Sequence, residues 1–522
     1  MALNLAAVRA RIPRPVAQQF SLPAPTGGWN ARDGLADMDK RDAVILTNFF
    51  PLTTDVMVRM GYTEFCTGLG GQAESLMVYA GGASTKLFVA TATIGNIKAV
   101  VSGTVTATAS VTGITNARYQ YINFATSAGN YLVAVNGADK ARYYTGSTWA
   151  KDGDGAPYDV TVLNTANATN INAHKGRIWY TESGTLKAYY MPTGALGGAA
   201  AVLDLSSVAQ LGGSLMAMGT WTIDAGYGVD DLAVWITTEG EVIAYRGTDP
   251  SSAATWALVG VWHVGSPVGR RCFFKYAGDL LLICQDGVLP LSAALQSSRT
   301  NPRVAVTDKI QSAMSEAVTA YGANFGWEII DYPKANQLYL NVPVQAGSQQ
   351  QQYVMNTISK AWCNFTGWTA NCWALHNDEL YFGASGVVCK GWNGYQDGAA
   401  SIQGDGLQAF GYFGSPGRVK RATMIRPIIL ATGTPVTSAN VAADFNLLDT
   451  TSLISSIASS QATWDTSVWD TGLWGLGLTP YKVWQGANSI GTALAPRVKV
   501  AVNGFVGKWA ATDLVIERGG VL

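Results

Sequence analysis

The side chains able to do chemistry are few, and their spacing assembles no familiar site. Three histidines, His174, His263 and His376, are too few and too scattered for an HExxH pair or a Cys/His zinc set. The six cysteines include no CxxC, so neither a metal spacing nor a disulfide framework is present, and free thiols are expected. No GxSxG nucleophile elbow, phosphate loop, or GxGxxG followed by a helix occurs. Asp152-Gly153-Asp154-Gly155 matches part of a calcium loop, but the later ligands and closing glutamate are missing, so it reads as an exposed turn. Asn167-Ala168-Thr169 and Asn364-Phe365-Thr366 fit the glycosylation pattern, which has meaning only in a secreted chain. Gln349 to Gln352 read as a polar hairpin tip. Carboxylates are dispersed, which leaves a glycosidase-type acid pair joined by folding as the one catalytic arrangement still open. No catalytic, cofactor-binding or metal-ligating residue is assigned, and the chain is expected not to be an enzyme.

The elements that would position any site repeat along the chain. Turns with Gly, Asn or Asp precede short apolar strands at Leu87–Ala90, Tyr131–Val135, Ile178–Tyr180, Leu232–Ile236, Leu280–Cys284, Leu338–Leu340 and Leu380–Phe382. Their starts lie 44, 47, 54, 48, 58 and 42 residues apart, and no long helical periodicity separates them. Blocks of roughly 40–50 residues with several strands each predict a β-propeller of six or seven blades. Tandem sandwiches are the competing architecture. In the propeller, these apolar segments are expected to form the innermost strands. Two hairpins follow from residue arithmetic. A turn centred on Gly278 would set Cys272 opposite Cys284. One register of AWCNFTGWTANCW would pair Cys363 with Cys372, the alternative being a crossing between blades.

Outside the repeats the pattern changes. Residues 1–26 carry Arg9, Arg11 and Arg14, four prolines and no acid, and read as an extended arm. The arm is expected to become ordered on a protein neighbour, with Gly27-Gly28 as hinge and Trp29 anchoring it to its own propeller. The division expected is an arm and clasp over 1–60, a propeller over 61–400 and a β-rich, sandwich-like domain over 401–522. In the last, Trp464, Trp469 and Trp474 are five residues apart, which fits neither one helix face nor one strand face. They are expected on turns, as a satellite core or an interface anchor.

Composition narrows the function classes. Lys plus Arg number 35 and Asp plus Glu number 35, so the formal net charge is zero, and charged residues are only 13%. That balance disfavours a protein that grips nucleic acid through basic patches. The 58 glycines, 17 tryptophans and 22 tyrosines suit a turn-rich fold with large apolar contacts. No uncharged apolar run reaches the ~18 residues of a membrane span, and the arginines near the start break a signal-peptide core. Synthesis and retention in a cytosol are expected.

The segment GGWNARDGLADMDKRDAVILTNFFPLTTDVMVRMGYTEF resembles the tail nozzle, or packaged-DNA stabilisation, proteins of short-tailed phages. Its likeness rests on Gly27, Gly28, Trp29, Asn30, Arg32, Asp33, Met38, Asp42, Ala43, Asn48, Phe50, Pro51, Arg59, Gly61 and Tyr62. YPKANQLYLNVPV, QQQYVMNTISKAWCNFTGW, DELYFG, KRATMIRPIIL, the spaced Trp-Asp pairs and the final GGVL extend it along the chain. The resemblance implies a virion tail protein made in the host cytoplasm and assembled as a homo-oligomeric ring, expected to be a hexamer. The ring would sit below the portal and adaptor, beside tail fibres or spikes. It would close the channel after packaging and conduct double-stranded DNA at ejection without binding it specifically, and it would involve no membrane and no cofactor. The rival readings are a propeller that binds carbohydrate at a tail tip, and a propeller glycosidase or depolymerase. Arg9, Arg11, Arg14, Trp29, Trp464, Trp469 and Trp474 are the candidate assembly residues.

Overall fold

The structure, a computed structural model, describes residues 17–82, 84–104, 110–224, 229–294, 302–449 and 477–521, together with 451, 454 and 456. It divides into two compact units. One is formed by Trp29–Asp33 and Arg59–Ile402; the other takes its described residues from Met1–Gly28, Gly34–Val58 and Gln403–Leu522.

The first unit is a β-propeller. Its described residues form seven blades of three or four antiparallel strands, whose first strands are Ala73–Ala80, Gln120–Thr126, Ala168–His174, Leu215–Asp224, Phe273–Tyr276, Glu328–Tyr332 and Cys372–His376. Each first strand neighbours the next around the ring, and Cys372–His376 returns to Ala73–Ala80, so the ring is closed with seven blades. The seventh blade is completed from the other end of the unit. Tyr62–Thr67 pairs antiparallel with Val388–Gly391 as its outer strand, so the first strand of the unit in sequence fastens the last blade.

The apolar segments of the sequence are not the innermost strands. Each lies in the second strand of its blade, as in Thr85–Thr91, Gly129–Val135 and Asp279–Cys284. A second strand is covered by the neighbouring blade on both faces, so it reads as a nearly continuous apolar run. An innermost strand presents one side to the axis and keeps polar residues, as Gln120–Thr126 does. The strongest apolar signal therefore marks the middle of a blade.

Turn chemistry shifts one expected hairpin by a residue. Ala277 and Gly278 both have positive φ, at 50° and 81°, and form a two-residue turn between the paired Tyr276 and Asp279. Cys272 consequently faces Ile283, whose N–H it accepts at 2.8 Å, and not Cys284. Both thiols are free and buried, and burial pushes each up to about 12. Cys363 pairs with Val354 in the sixth blade and Cys372 with Gly383 in the seventh, so AWCNFTGWTANCW is a crossing between blades. A helix not anticipated from the sequence, Gln311–Tyr321, lays Met314, Ala317 and Val318 on the core of the fifth and sixth blades.

In the second unit, one sheet contains Phe49–Pro51, Val56–Val58, Arg418–Ala431 and Gly507–Val521, and the other contains Asp42–Thr47, Ile402–Gln408, Val436–Ala443 and Leu494–Val502. Gly406 brings the second sheet against Trp509 of the first; a Cβ there would lie 2.6 Å from the indole. Residues 1–60 are thus not a separate clasp, because Asp42–Thr47, Phe49–Pro51 and Val56–Val58 are strands of this sandwich. Nor is the arm free along its length. Ala17–Pro23 pairs antiparallel with 511–517 of its own chain, from Ala17 opposite Glu517 to Pro23 opposite Ala511. Its backbone donors find an edge strand within the subunit, which needs no neighbour. Arg9, Arg11 and Arg14 lie outside the described residues, as do Trp464, Trp469 and Trp474.

Candidate functional site

Two groups of residues carry the unusual polar chemistry of the propeller unit: the joints that fasten it, and the axis. At the first joint, Trp29 packs edge-on against Tyr353 at 5.1 Å and contacts the apolar core. The Asn30 side chain accepts from the backbone N–H of Arg32 at 3.1 Å and of Asp33 at 3.0 Å, and donates to the Asp33 carboxylate at 2.8 Å. This Asx turn aims Arg32 at Asp308, with which it pairs, while the Ala31 N–H donates to Lys309 O at 3.0 Å. Hydrogen bonds from Arg32 and then Asn30 hold Asp33 down to about 2.

The second joint is the closure of the seventh blade. Arg59 is buried, with 1% of its surface exposed, and forks onto Asp397 at 2.8 and 2.5 Å. It also donates to Thr366 O at 2.6 Å and lies over the Trp368 ring at 5.0 Å. Trp368 Nε1 donates to the same carboxylate at 3.1 Å, so both Asp397 oxygens are engaged. Gly61 then passes so close to Gln396 that a Cβ would sit 1.7 Å from its carbonyl oxygen. Trp29 is the one candidate assembly residue that the described structure places, and it sits inside a joint.

The axis holds a cavity of about 610 Å3 lined by all seven first strands. At the end where those strands begin, Arg271 reaches across it. Arg271 donates to Glu328 at 3.0 Å, Ser75 Oγ at 2.7 Å, Glu74 O at 3.1 Å and Tyr119 O at 3.2 Å. Glu328 in turn accepts from the Trp373 N–H at 3.3 Å. One ion pair thus touches the first, second, fifth, sixth and seventh blades. Burial pushes the Glu328 carboxyl above its ordinary value, and the charge of Arg271 offsets this only in part. Beyond the pair lies a smaller pocket of about 210 Å3, bordered by Asn116, Arg118, Gln120, Arg270, Arg271 and Phe325.

The sequence reading missed this axial set. The Arg270-Arg271 pair directly before an apolar strand, with no acid near it in sequence, was the available signal. As for what the axis can do, Glu328 is held by two donors, and Asp331 on the same strand is pushed up by burial. Among the described residues, no group of three or more His, Cys, Asp or Glu side chains could hold a metal ion.

His174, at the end of the third blade's first strand, is buried against Trp256 with ring centroids 6.1 Å apart. Burial first, and the neighbouring Lys175 next, bring it down to about 4, against a smaller opposing effect of Asp231. The unfolded chain therefore binds this proton between pH 6.5 and 4 while the folded one does not. Its contribution is unchanged above 6.5, and stability falls as the pH drops towards 4, by about 3 kcal/mol in full. Urea titrations at several pH values should show wild type losing about that much more than His174→Gln across this window.

No family model matches the chain, and no curated protein matches it. Among solved structures it is similar to BBS1N in complex with ARL6DN, at 10% identity over 64% of this chain and 97% of that one, with a TM-score of 0.39. YCF48 bound to D1 peptide is 11% identical over 65% of this chain and 93% of that one, with a TM-score of 0.34. Raptor of Chaetomium thermophilum is 11% identical over 65% of this chain and 29% of that one, with a TM-score of 0.38. These similarities concern the fold alone.

Proposed function

We propose that the chain is a structural subunit of a phage tail, forming the nozzle ring below portal and adaptor that closes the channel after packaging and conducts DNA at ejection. The observation that carries this reading is where the resembling residues sit. Trp29, Asn30, Arg32 and Asp33 build one joint of the propeller unit, and Arg59 and Gly61 build the closure of its last blade. A likeness confined to surface turns would say little. Here Asn30, Arg59 and Gly61 are buried, and Trp29, Arg32 and Asp33 are held by ring packing and hydrogen bonds where the chain enters its propeller. A zero net charge agrees with a conduit, since each neutralised phosphate would add affinity and slow the DNA.

Disrupting the gene separates the readings. Particles made without the protein are expected to fill with DNA and then lose it, and to hold it again when the protein is added back. Particles that retain their DNA but no longer adsorb to host cells would overturn the nozzle in favour of a receptor-binding tip.

A further inference from the structure

The axial ion pair leaves one cation over. Around the 210 Å3 pocket, Arg271 is committed to Glu328 and Arg118 to Glu74 at 3.2 Å. Arg118 also lies over the Phe325 ring at 4.3 Å, and Arg271 over the same ring at 5.3 Å. These contacts fix both guanidinium groups. Arg270 has only the Asn136 carbonyl oxygen, at 3.4 Å, and finds no carboxylate among the described residues. Three guanidinium groups therefore share two carboxylates in one concave site.

We infer that this pocket is a binding site for a single oxyanion group, a phosphate or a carboxylate, held by Arg270 with Arg118. The chemistry is that of a fork of N–H donors, which matches the paired oxygens of either group. Asn116 and Gln120 on the pocket wall supply further polar atoms, and the Phe325 ring shields one side. Arg270 is exposed at the pocket rim, and an anion there would offset the like charges of Arg118 and Arg270. Arg118 and Arg271 border the same pocket and, as arginines, stay protonated near neutrality, and each is paired with a carboxylate, Glu74 and Glu328. The pH dependence expected of binding is that of the ligand. Inorganic phosphate should bind more tightly as the pH rises through its second ionisation near neutrality, whereas acetate should not change there.

The test is calorimetric titration of the full chain with inorganic phosphate and, separately, with sodium acetate, at constant ionic strength. Saturable binding of at least one, with one site per chain, is expected. Arg270→Gln should weaken it at least tenfold, while Lys275→Gln, altered in the larger axial cavity, should leave it unchanged. The phosphate and acetate arms decide which oxyanion is preferred. Should Arg270→Gln fail to fold, Arg270→Lys retains the charge without the fork, and a weakening of at least threefold is expected. Absence of saturable binding by wild type would overturn the proposal. So would binding that survives loss of the Arg270 fork, or that falls equally with Lys275→Gln.

Discussion

Replacing Arg271 with methionine is expected to destabilise the propeller by about 3 kcal/mol, the lower end for removing one partner of a buried pair, because the two side chains keep 12% and 19% of their surface exposed. The Glu328 carboxylate would be left in the axis with the Trp373 N–H as its remaining donor, and Ser75, Glu74 and Tyr119 would each lose a hydrogen bond. Glu328→Gln alone should be milder, and Arg271→Met combined with Glu328→Gln should recover part of the loss, because the unpaired charge is gone. The pH dependence gives a second signature. Without Arg271, Glu328 takes up a proton in the folded protein at a pH where the unfolded chain has already released it. The folded value is then the higher one. The deficit of Arg271→Met should therefore shrink as the pH falls through the folded value towards the ordinary glutamate value, and grow as it rises. Urea titrations at several pH values measure both effects. A loss below 1 kcal/mol at neutral pH would show that the ion pair is not what ties the blades across the axis.

The second large effect is expected at the closure. In Gly61→Ala the new methyl would have to avoid the Gln396 carbonyl oxygen 1.7 Å away, and no side-chain rotation can relieve a clash with backbone. Overpacking of this kind costs about 1–3 kcal/mol, and here the upper end applies. The strand that must yield is Tyr62–Thr67, whose pairing with Val388–Gly391 completes the seventh blade. Hydrogen exchange of those two strands should accelerate together, by roughly 100-fold for about 3 kcal/mol. Strands of the third blade should change far less. Uniform acceleration would mean that the propeller opens as a whole and not at its fastening.

The repeat was legible in the sequence because each second strand is buried on both faces, which forces runs such as Leu280–Cys284 to be wholly apolar. That same physics misplaced those runs at the axis, since the innermost strands carry the weaker pattern. The Cys272–Cys284 pairing failed on a turn centre: Gly278 is one of two positive-φ residues, and the turn is symmetric about the bond before it. The arm was read from its prolines and arginines, yet Ala17–Pro23 has extended backbone free to pair, and the partner strand at 511–517 lies nearly 500 residues away in sequence. No local signal reports such a contact. The axial arginines were equally hidden, because Arg118, Arg270, Arg271, Glu74 and Glu328 come together only when the ring closes.

Ring formation is read directly by native mass spectrometry of the purified full chain, alone and mixed with portal–adaptor complexes from the same genome. A tail nozzle should appear as a closed oligomer of six copies that adds to the portal–adaptor complex as one ring. A monomer or trimer that leaves the portal–adaptor mass unchanged would contradict it.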